Sequence, residues 1–219
     1  MELTDYISTD KITVTNQKTA QQTLAIFNDI NYSHIPVINN KKLIGNVAKE
    51  DLICIDDASQ KLSELEYLYE FFFAKNTDTL LEVFSNFAVN NTSLLPVVDD
   101  HNNYIGYLDI NDLLDCFADT PFLSTEGNIL LLQKNTKEYA MSEICQIVES
   151  NANVVLGCFL FDQNEETTKI TLKVKSLNIN ELIQSFRRYD YYILNDLSED
   201  SYLESLKKRS EYFIKYLNI

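Results

Sequence analysis

Two stretches of the chain, residues 31–52 and 91–113, share one order of apolar and polar positions. Each has a short apolar run around Pro-Val, which is HIPVI in the first stretch and LLPVV in the second. A polar turn follows, then a second apolar run around a glycine, LIGNVA or YIGYL, and then acidic residues that open a helical pattern. Because short apolar runs bounded by turn residues are typical of strands, each stretch predicts a strand pair flanked by helices.

The two stretches also share residue identities at fixed spacing. Four residues of the first recur sixty positions later, and four more recur sixty-one positions later, beyond one inserted turn residue. The pairs are Asn31 and Asn91, Ser33 and Ser93, Pro36 and Pro96, Val37 and Val97, then Ile44 and Ile105, Gly45 and Gly106, Asp51 and Asp112, Leu52 and Leu113. Identities in register with a single gap in a turn indicate an internal duplication.

The second half of the chain has a different order. Residues 119–127 predict a domain junction, and an apolar run, NILLLQK, predicts a strand after it. An amphipathic helix near 139–149, the strand NVVLGCFLF, the alternating strand KITLKVK, a helix within 177–189 and the strand YYIL follow. In KITLKVK, the pattern places Ile170, Leu172 and Val174 inward and the lysines outward. The order β-α-β-β-α-β predicts a ferredoxin-like fold.

A last amphipathic pattern occupies residues 198–219. Its apolar stripe is Leu203, Leu206, Phe213 and Leu217, at helical spacing. We expect this C-terminal helix to pack on the protein itself or on a second subunit.

Pro-Val, a polar turn, an apolar residue with glycine, and Asp-Leu six residues after the glycine resemble the CBS signature. Two copies resemble a CBS pair over residues 1–118, with repeat one at 1–57, a linker helix at 58–71 and repeat two at 72–118. The βαββαβ unit at 128–197 resembles an ACT-like domain. The whole layout is similar to acetoin-utilisation-type CBS-ACT regulatory proteins. The expected fold class is α+β, with two βαββα-type units followed by a ferredoxin-like domain and a C-terminal helix.

Charge and composition limit the classes of partner. The chain has a formal net charge of -15, and its first 119 residues carry 7 basic and 19 acidic residues. This acidity opposes binding to nucleic acid, which depends on neutralising phosphates. No run of about 18 apolar residues predicts a membrane span, and the N-terminus shows no secretory pattern, so we expect a cytoplasmic protein.

Residues for catalysis or metal binding are scarce. The four cysteines form no C-x-x-C pair, and there are two histidines, His34 and His101. Phosphate-binding glycine loops, serine-hydrolase and metalloprotease motifs are missing from the sequence. We therefore expect no catalytic residue, no metal site and no bound cofactor.

The resemblance to CBS pairs implies clefts that hold adenosine-containing ligands. In the motif, an aspartate binds the ribose hydroxyls, and Asp51 and Asp112 stand at that position. A hydroxyl residue normally binds phosphate, and here the two copies have Ala48 and Asp109 instead. Because Asp109 would repel phosphate, the expected effector is an adenosyl compound with little phosphate. The first copy is the better phosphate candidate, since Lys42 and Lys49 lie near it in sequence.

The resemblance places the adenine in a cleft beside six residues, which are Ser33, His34, Pro36, Ser93, Leu94 and Pro96. For the two aspartates an alternative stays open, because carboxylates in the first turn of a helix stabilise it without any ligand. In the ACT-like domain, the turn KNTKEY lacks the glycine found in amino-acid-sensing members, which argues against amino-acid binding there.

Two functions follow. The first is a non-catalytic regulator that senses a small, adenosyl-type effector in the CBS cleft and acts on a protein that the sequence does not identify. The second is a constitutive dimerisation or protein-interaction module with vestigial clefts. Both predict a homodimer.

Overall fold

The computed structural model describes residues 3–195, and the chain divides into two compact units between Phe117 and Ala118. The first unit holds both repeats, and the second holds the βαββαβ segment. Together the units have the mixed α+β composition that the sequence predicts.

Repeat one contains β1 (Val14–Thr15), α1 (Ala20–Asp29), β2 (His34–Asn39), β3 (Lys42–Ala48) and α2 (Lys49–Ile53). β1 pairs parallel to β2, and β2 pairs antiparallel to β3. The β2–β3 loop is Asn40 and Lys41, both with positive φ, as a two-residue type I′ hairpin requires. A buried cluster that includes Phe27, Ile35 and Leu62 closes this repeat.

Repeat two has the same order, with β4 (Ala74–Lys75), α3 (Leu80–Val89), β5 (Leu94–Val98), β6 (Tyr104–Asp109) and α4 (Ile110–Ala118). Its strands pair as those of repeat one do, and the irregularity in register recurs at the equivalent place, Val37/Ile38 and Val97/Val98. Both long helices begin with the same reciprocal cap, Thr19 with Gln22 and Thr79 with Glu82. The duplication in sequence is therefore a duplication in structure.

The segment between the repeats differs from our expectation of a linker helix at 58–71. It forms two short 3-10 turns, Leu62–Glu64 and Glu66–Leu68. Its backbone groups bond to repeat one rather than along a helix, since Ala20 N–H donates to the Gln60 carbonyl and Leu62 N–H donates to the Lys18 carbonyl. These long-range bonds take groups that an α-helix would pair internally.

The second unit contains α5 (Pro121–Ser124), β7 (Asn128–Asn135), α6 (Met141–Ser150), β8 (Val154–Gln163), β9 (Thr167–Lys175), α7 (Ile179–Arg188) and β10 (Tyr192–Ile193). The sheet order is β10-β7-β9-β8, and all neighbouring strands are antiparallel. This order is the ferredoxin-like βαββαβ arrangement that the sequence predicts. Its core includes Leu132, Ile144, Leu172, Leu182 and Phe186, all fully buried.

The predicted junction at 119–127 contains the short helix α5, which packs on the sheet of the second unit. The Phe122 ring contacts the Phe159 ring edge-on, with centroids 5.7 Å apart. Lys173 was expected on a solvent-facing side, and that expectation was wrong, because Lys173 is 7% exposed and its Nζ donates to the Leu123 carbonyl at 3.0 Å. Ile170, Leu172 and Val174 are buried as predicted.

The predicted C-terminal helix at 198–219 lies outside the described residues. Within residues 3–195, no helix combines the length and the apolar character needed to cross a bilayer.

Candidate functional site

A cavity of about 400 Å³ lies in the first unit, where the end of β3 and the start of α2 face residues from repeat two. Its wall draws on both repeats and on the segment that connects them. It consists of Ser33, His34, Ala48, Lys49, Glu50, Ile53, Glu70, Asn90 and Asn91. Its volume is within the usual range of small-molecule pockets.

Ser33 and its repeat equivalent Ser93 bond to one another across the two repeats. The Ser33 N–H donates to Ser93 Oγ at 3.1 Å, and the Ser93 N–H donates to Ser33 Oγ at 3.1 Å. The exchange is reciprocal, as expected for two equivalent residues related by a local twofold axis. This pair joins the two repeats beside the cavity, whose wall includes Ser33.

His34 links this pair to the connecting segment. Its Nδ1 lies 2.8 Å from Ser33 Oγ, and its Nε2 lies 3.3 Å from Glu70 Oε1. The ring is 6% exposed and meets the Phe72 ring edge-on. Glu70 is held through its backbone, which exchanges two hydrogen bonds with the backbone of Asn46. One polar chain therefore connects repeat two, repeat one and the connecting segment.

The cavity wall has more negative than positive charge. Lys49 is its one lysine; its N–H donates to the Ser33 carbonyl and its Nζ donates to the Phe27 carbonyl at 3.3 Å. Glu50 and Glu70 supply two carboxylates. Ala48, before α2, offers no side-chain cap to that helix. A polyphosphate would meet these carboxylates at close range.

The predicted adenine-cleft residues do not all reach this cavity. Ser33, His34 and Ala48 line it. Ser93 is not part of the wall but bonds to Ser33, which is. Leu94, Pro36 and Pro96 are buried within strands β2 and β5 and are not part of the wall. Lys42 begins β3 at the hairpin, outside the wall, so of the two lysines only Lys49 contributes.

The two predicted ribose aspartates lie at the starts of helices. Asp51 is half-buried in the first turn of α2, and Asp112 is exposed in the first turn of α4. Neither is part of the cavity wall. Both positions complement the positive end of a helix dipole, which is the alternative that needs no ligand.

Asp109, the equivalent of Ala48, accepts hydrogen bonds from the protein at both of its carboxylate oxygens. Its Oδ1 accepts from the Asn111 N–H at 2.7 Å and from Asn111 Nδ2 at 2.9 Å. Its Oδ2 accepts from the Tyr32 hydroxyl at 2.7 Å. Burial, together with this bond, raises the pKa of the Tyr32 phenol well above its ordinary value.

Five residues of the cavity wall were not predicted as site residues, namely Glu50, Ile53, Glu70, Asn90 and Asn91. Tyr32, which bonds to Asp109 and is not part of this wall, was not predicted either. Asn90 and Asn91 follow α3 and come just before Ser93, so their place in the repeat was the signal that could have found them. No sequence pattern indicated Glu70, because it reaches the cavity wall only when the connecting segment bonds to Asn46 on β3.

Within residues 3–195, no three or more histidine, cysteine, aspartate and glutamate side chains converge in a way that could hold a metal ion.

Comparison with known proteins identifies the repeats. The CBS domain family model matches residues 3–56 and 68–119. Inosine-5'-monophosphate dehydrogenase of Methanocaldococcus jannaschii is 28% identical over 106 residues, which are 48% of this chain and 21% of that enzyme. An uncharacterised protein of the same organism is 23% identical over 114 residues, 52% of this chain and 43% of that protein.

The chain therefore spans less than half the length of these relatives, and the dehydrogenase matches only through its CBS domains. A CBS domain pair/ACT domain protein of Thermotoga maritima has a solved structure that is 20% identical, with a TM-score of 0.49, and covers 54% of this chain and 98% of that one. Given the matched segments, the duplicated fold and the signature in both repeats, residues 3–119 of this chain form a tandem pair of CBS domains, a module that is generally regulatory rather than catalytic.

Proposed function

We propose that the chain is a non-catalytic regulatory protein that senses a small, adenosyl-type effector in the cavity beside Ser33 and His34. The observation that carries this proposal is the composition of the cavity wall, which takes residues from both CBS repeats and from the segment between them. A ligand there contacts three parts of the first unit at once. It can therefore stabilise one arrangement of the repeats over another.

The wall chemistry supports a nucleoside. The Asn91 amide can both donate and accept hydrogen bonds, as base edges and ribose hydroxyls require, and Asn90 Oδ1 can accept while its Nδ2 bonds to Asn86. Ile53 and Ala48 add apolar surface. The expected adenosine-containing effector of a CBS pair fits these groups by chemistry and size.

The wall charge supports an effector with little phosphate. Two carboxylates and one lysine give the cavity a negative balance, so a neutral nucleoside or a cationic one such as S-adenosylmethionine should bind better than ATP. Adenosine, AMP, ATP and S-adenosylmethionine form a series that separates these cases.

Thermal unfolding with that series tests the proposal. A compound at one hundred times its Kd should stabilise the protein by about 2.7 kcal/mol. We expect the midpoint to rise with S-adenosylmethionine or adenosine and to change little with ATP. If no adenosyl compound raises the midpoint, the proposal is wrong.

A charge-matched pair of variants tests the site. Glu70→Gln removes a carboxylate from the wall and should weaken binding of S-adenosylmethionine severalfold more than binding of neutral adenosine. Glu66→Gln makes the same change in the same segment, outside the cavity wall, and should leave both affinities unchanged. Equal effects of the two variants would place the ligand elsewhere.

A second candidate function is a constitutive dimerisation or interaction module with vestigial clefts. Ile53 on α2 and Leu114 on α4 occupy equivalent positions in the two repeats, and they are 63% and 50% exposed. This candidate places the interface on these two equivalent apolar side chains. Light scattering tests this candidate. The double change Ile53→Asp and Leu114→Asp should convert a dimer to a monomer, while Leu81→Asp, at another exposed leucine, should not.

For the second unit we propose an ACT-like domain, with the CBS-ACT layout of acetoin-utilisation-type regulators. Its β-α-β-β-α-β order and antiparallel sheet support the ACT-like assignment. We further propose a cytoplasmic homodimer that acts on a partner protein and binds neither nucleic acid nor membrane. The net charge of -15 supports the exclusion of nucleic acid.

A further inference from the structure

The two repeats present equivalent positions at their clefts but fill them with different side chains. Ala48 of repeat one corresponds to Asp109 of repeat two, sixty-one residues later. The residue before each cleft serine differs as well. Tyr32 of repeat one bonds to Asp109, and Thr92 is the equivalent of Tyr32 in repeat two, sixty residues later. One pair of positions thus combines a large phenol with a carboxylate, and the equivalent pair has two small residues.

Thr92 lies two residues before β5 and bonds within its own repeat. Its hydroxyl donates to the Leu94 carbonyl at 2.7 Å and accepts from the Leu94 N–H at 3.3 Å, so the side chain is satisfied without crossing to the other repeat. Ala48, the equivalent of Asp109, adds only a methyl group to the first cleft. The cavity of about 400 Å³ is found on this side.

Tyr32, unlike Thr92, bonds to a residue of the other repeat. Its hydroxyl crosses to repeat two and donates to Asp109 Oδ2 at 2.7 Å. Its ring meets the ring of Tyr107 edge-on, with centroids 5.8 Å apart and an interplanar angle of 72°. Tyr107 is buried on β6. Asp109 therefore fixes the Tyr32 hydroxyl, and Tyr107 fixes the Tyr32 ring.

The Asp109 carboxylate lies at the N-terminus of α4, where backbone N–H groups favour an anion. The carboxylate directly precedes α4 and accepts a backbone N–H from the first turn, that of Asn111, as well as the Asn111 side-chain amide. Three donors, one of them from the other repeat, therefore occupy its two oxygens.

We infer that the chain's own Tyr32 and Asp109 side chains close the second CBS cleft, so that the CBS pair offers an effector one open cleft, the cavity beside Ala48. The inference rests on the proposed function, since it concerns where the effector binds. It makes Ala48, Thr92, Tyr32 and Asp109 the residues that determine binding stoichiometry. It also makes the Tyr32–Asp109 bond a permanent link between the repeats that needs no ligand.

Exchanging these residues between the clefts tests the inference. Isothermal titration with adenosine and with S-adenosylmethionine should give one molecule bound per wild-type chain. The double variant Tyr32→Thr and Asp109→Ala gives the second cleft the residues of the first, and the stoichiometry should rise to two. The reverse variant, Ala48→Asp and Thr92→Tyr, should abolish binding. Two molecules per wild-type chain, or one per chain in Tyr32→Thr and Asp109→Ala, would overturn the inference.

A measurement without ligand keeps the inference separable from the proposed function. Nitration of tyrosines by tetranitromethane, located by peptide mass spectrometry, should leave Tyr32 unmodified while Tyr67 and Tyr192, 76% and 72% exposed, react fully. Asp109→Ala should raise the nitration rate of Tyr32 severalfold. Asp112→Ala, a matched change three residues further along, should leave Tyr32 protected.

Negative results in the titration and in the nitration contradict different claims. If the wild-type chain binds no adenosyl compound, the proposed function is wrong, and nitration alone decides whether the second cleft is closed. If Tyr32 is nitrated as fast as Tyr67 in the wild type, the closure is wrong even where one molecule binds.

Discussion

At the scale of single residues, one carboxylate in the second unit satisfies two buried groups. Glu143 on α6 accepts from Lys134 Nζ at 2.6 Å and from the Tyr191 hydroxyl at 2.9 Å. Lys134 is 7% exposed, and its ammonium lies 4.4 Å from the centroid of the Tyr191 ring. Without Glu143, this ammonium would be left nearly buried and without its anion.

We predict that Glu143→Gln destabilises the protein by roughly 2 kcal/mol at neutral pH, the loss typical of a hydrogen bond to a charged group. Burial acts to raise the pKa of Glu143, but the bonds from Lys134 and Tyr191 outweigh it and hold the pKa below its ordinary value. A lowered folded-state pKa gives stability that is present above the unfolded pKa, about 4.3, and lost as the pH falls through the folded value.

Urea unfolding at pH 7 and between pH 3 and 4 measures this effect. The difference between wild type and Glu143→Gln should be full at pH 7 and should shrink below about pH 4. Glu149→Gln, at an exposed position of the same helix, is the control and should change little at either pH. A difference that stays constant down to pH 3 would contradict the account.

Thiol reactivity gives a second prediction at this scale. Burial, with a smaller contribution from Cys145, raises the pKa of the Cys158 thiol to about 11. Since the thiolate is the reactive form, Cys158 should react slowly with a disulfide reagent at pH 8, and exposed Cys54 should react first. In Cys54→Ser the fast phase should disappear while the slow phase remains. Rapid labelling of Cys158 in the folded protein would contradict this prediction.

At the scale of elements, the packing of α5 on β8 depends on one glycine. A Cβ on Gly157 would lie 2.1 Å from Phe122 Cδ2, a distance at which the ring must move. We predict that Gly157→Ala displaces Phe122 and destabilises the protein by about 1–3 kcal/mol, the usual cost of overpacking. In a Phe122→Ala background the same change should cost little, because the clash is gone. Denaturant unfolding of the four proteins gives this coupling directly, and additive costs would refute the contact.

Much of the element order was predictable because it depends on local pattern. Apolar runs, turn residues and the sixty-residue spacing placed β2, β3, β5 and β6, and alternation placed Ile170, Leu172 and Val174 in the core. The segment at 58–71 was not predictable in the same way, since its bonds to Lys18 and Ala20 are long-range and leave no period in the sequence. Burial of Lys173 escaped prediction for the same reason, because α5 covers it from outside the strand.

The candidate site was predictable in part. The repeat alignment identified Ser33, His34 and Ala48, which line the cavity, and it identified Asp109 as a departure from the signature. It could not show that Tyr32 reaches Asp109, because the two residues lie 77 positions apart and belong to different repeats. Contacts between repeats depend on how the repeats pack, which no single copy encodes.

At the scale of the whole molecule, the two units have separate cores. One buried cluster closes each CBS repeat in the first unit, and another, built on β7, β9, α6 and α7, closes the second. These clusters share no residue, and the division between the units falls at the end of α4. Each unit is therefore expected to unfold as its own cooperative transition.

Differential scanning calorimetry of the full chain then locates the effector. We predict two transitions, of which an adenosyl compound raises only one, since it binds the first unit and not the second. Glu143→Gln identifies the other transition, because it removes a bond within the second unit and should lower that midpoint alone. The two perturbations should act on different transitions in the same sample. An effector that raises the transition lowered by Glu143→Gln would place sensing in the second unit. A single transition whose midpoint is changed by both the compound and Glu143→Gln would mean that the two units unfold together. Binding in the first unit would then also stabilise the second unit.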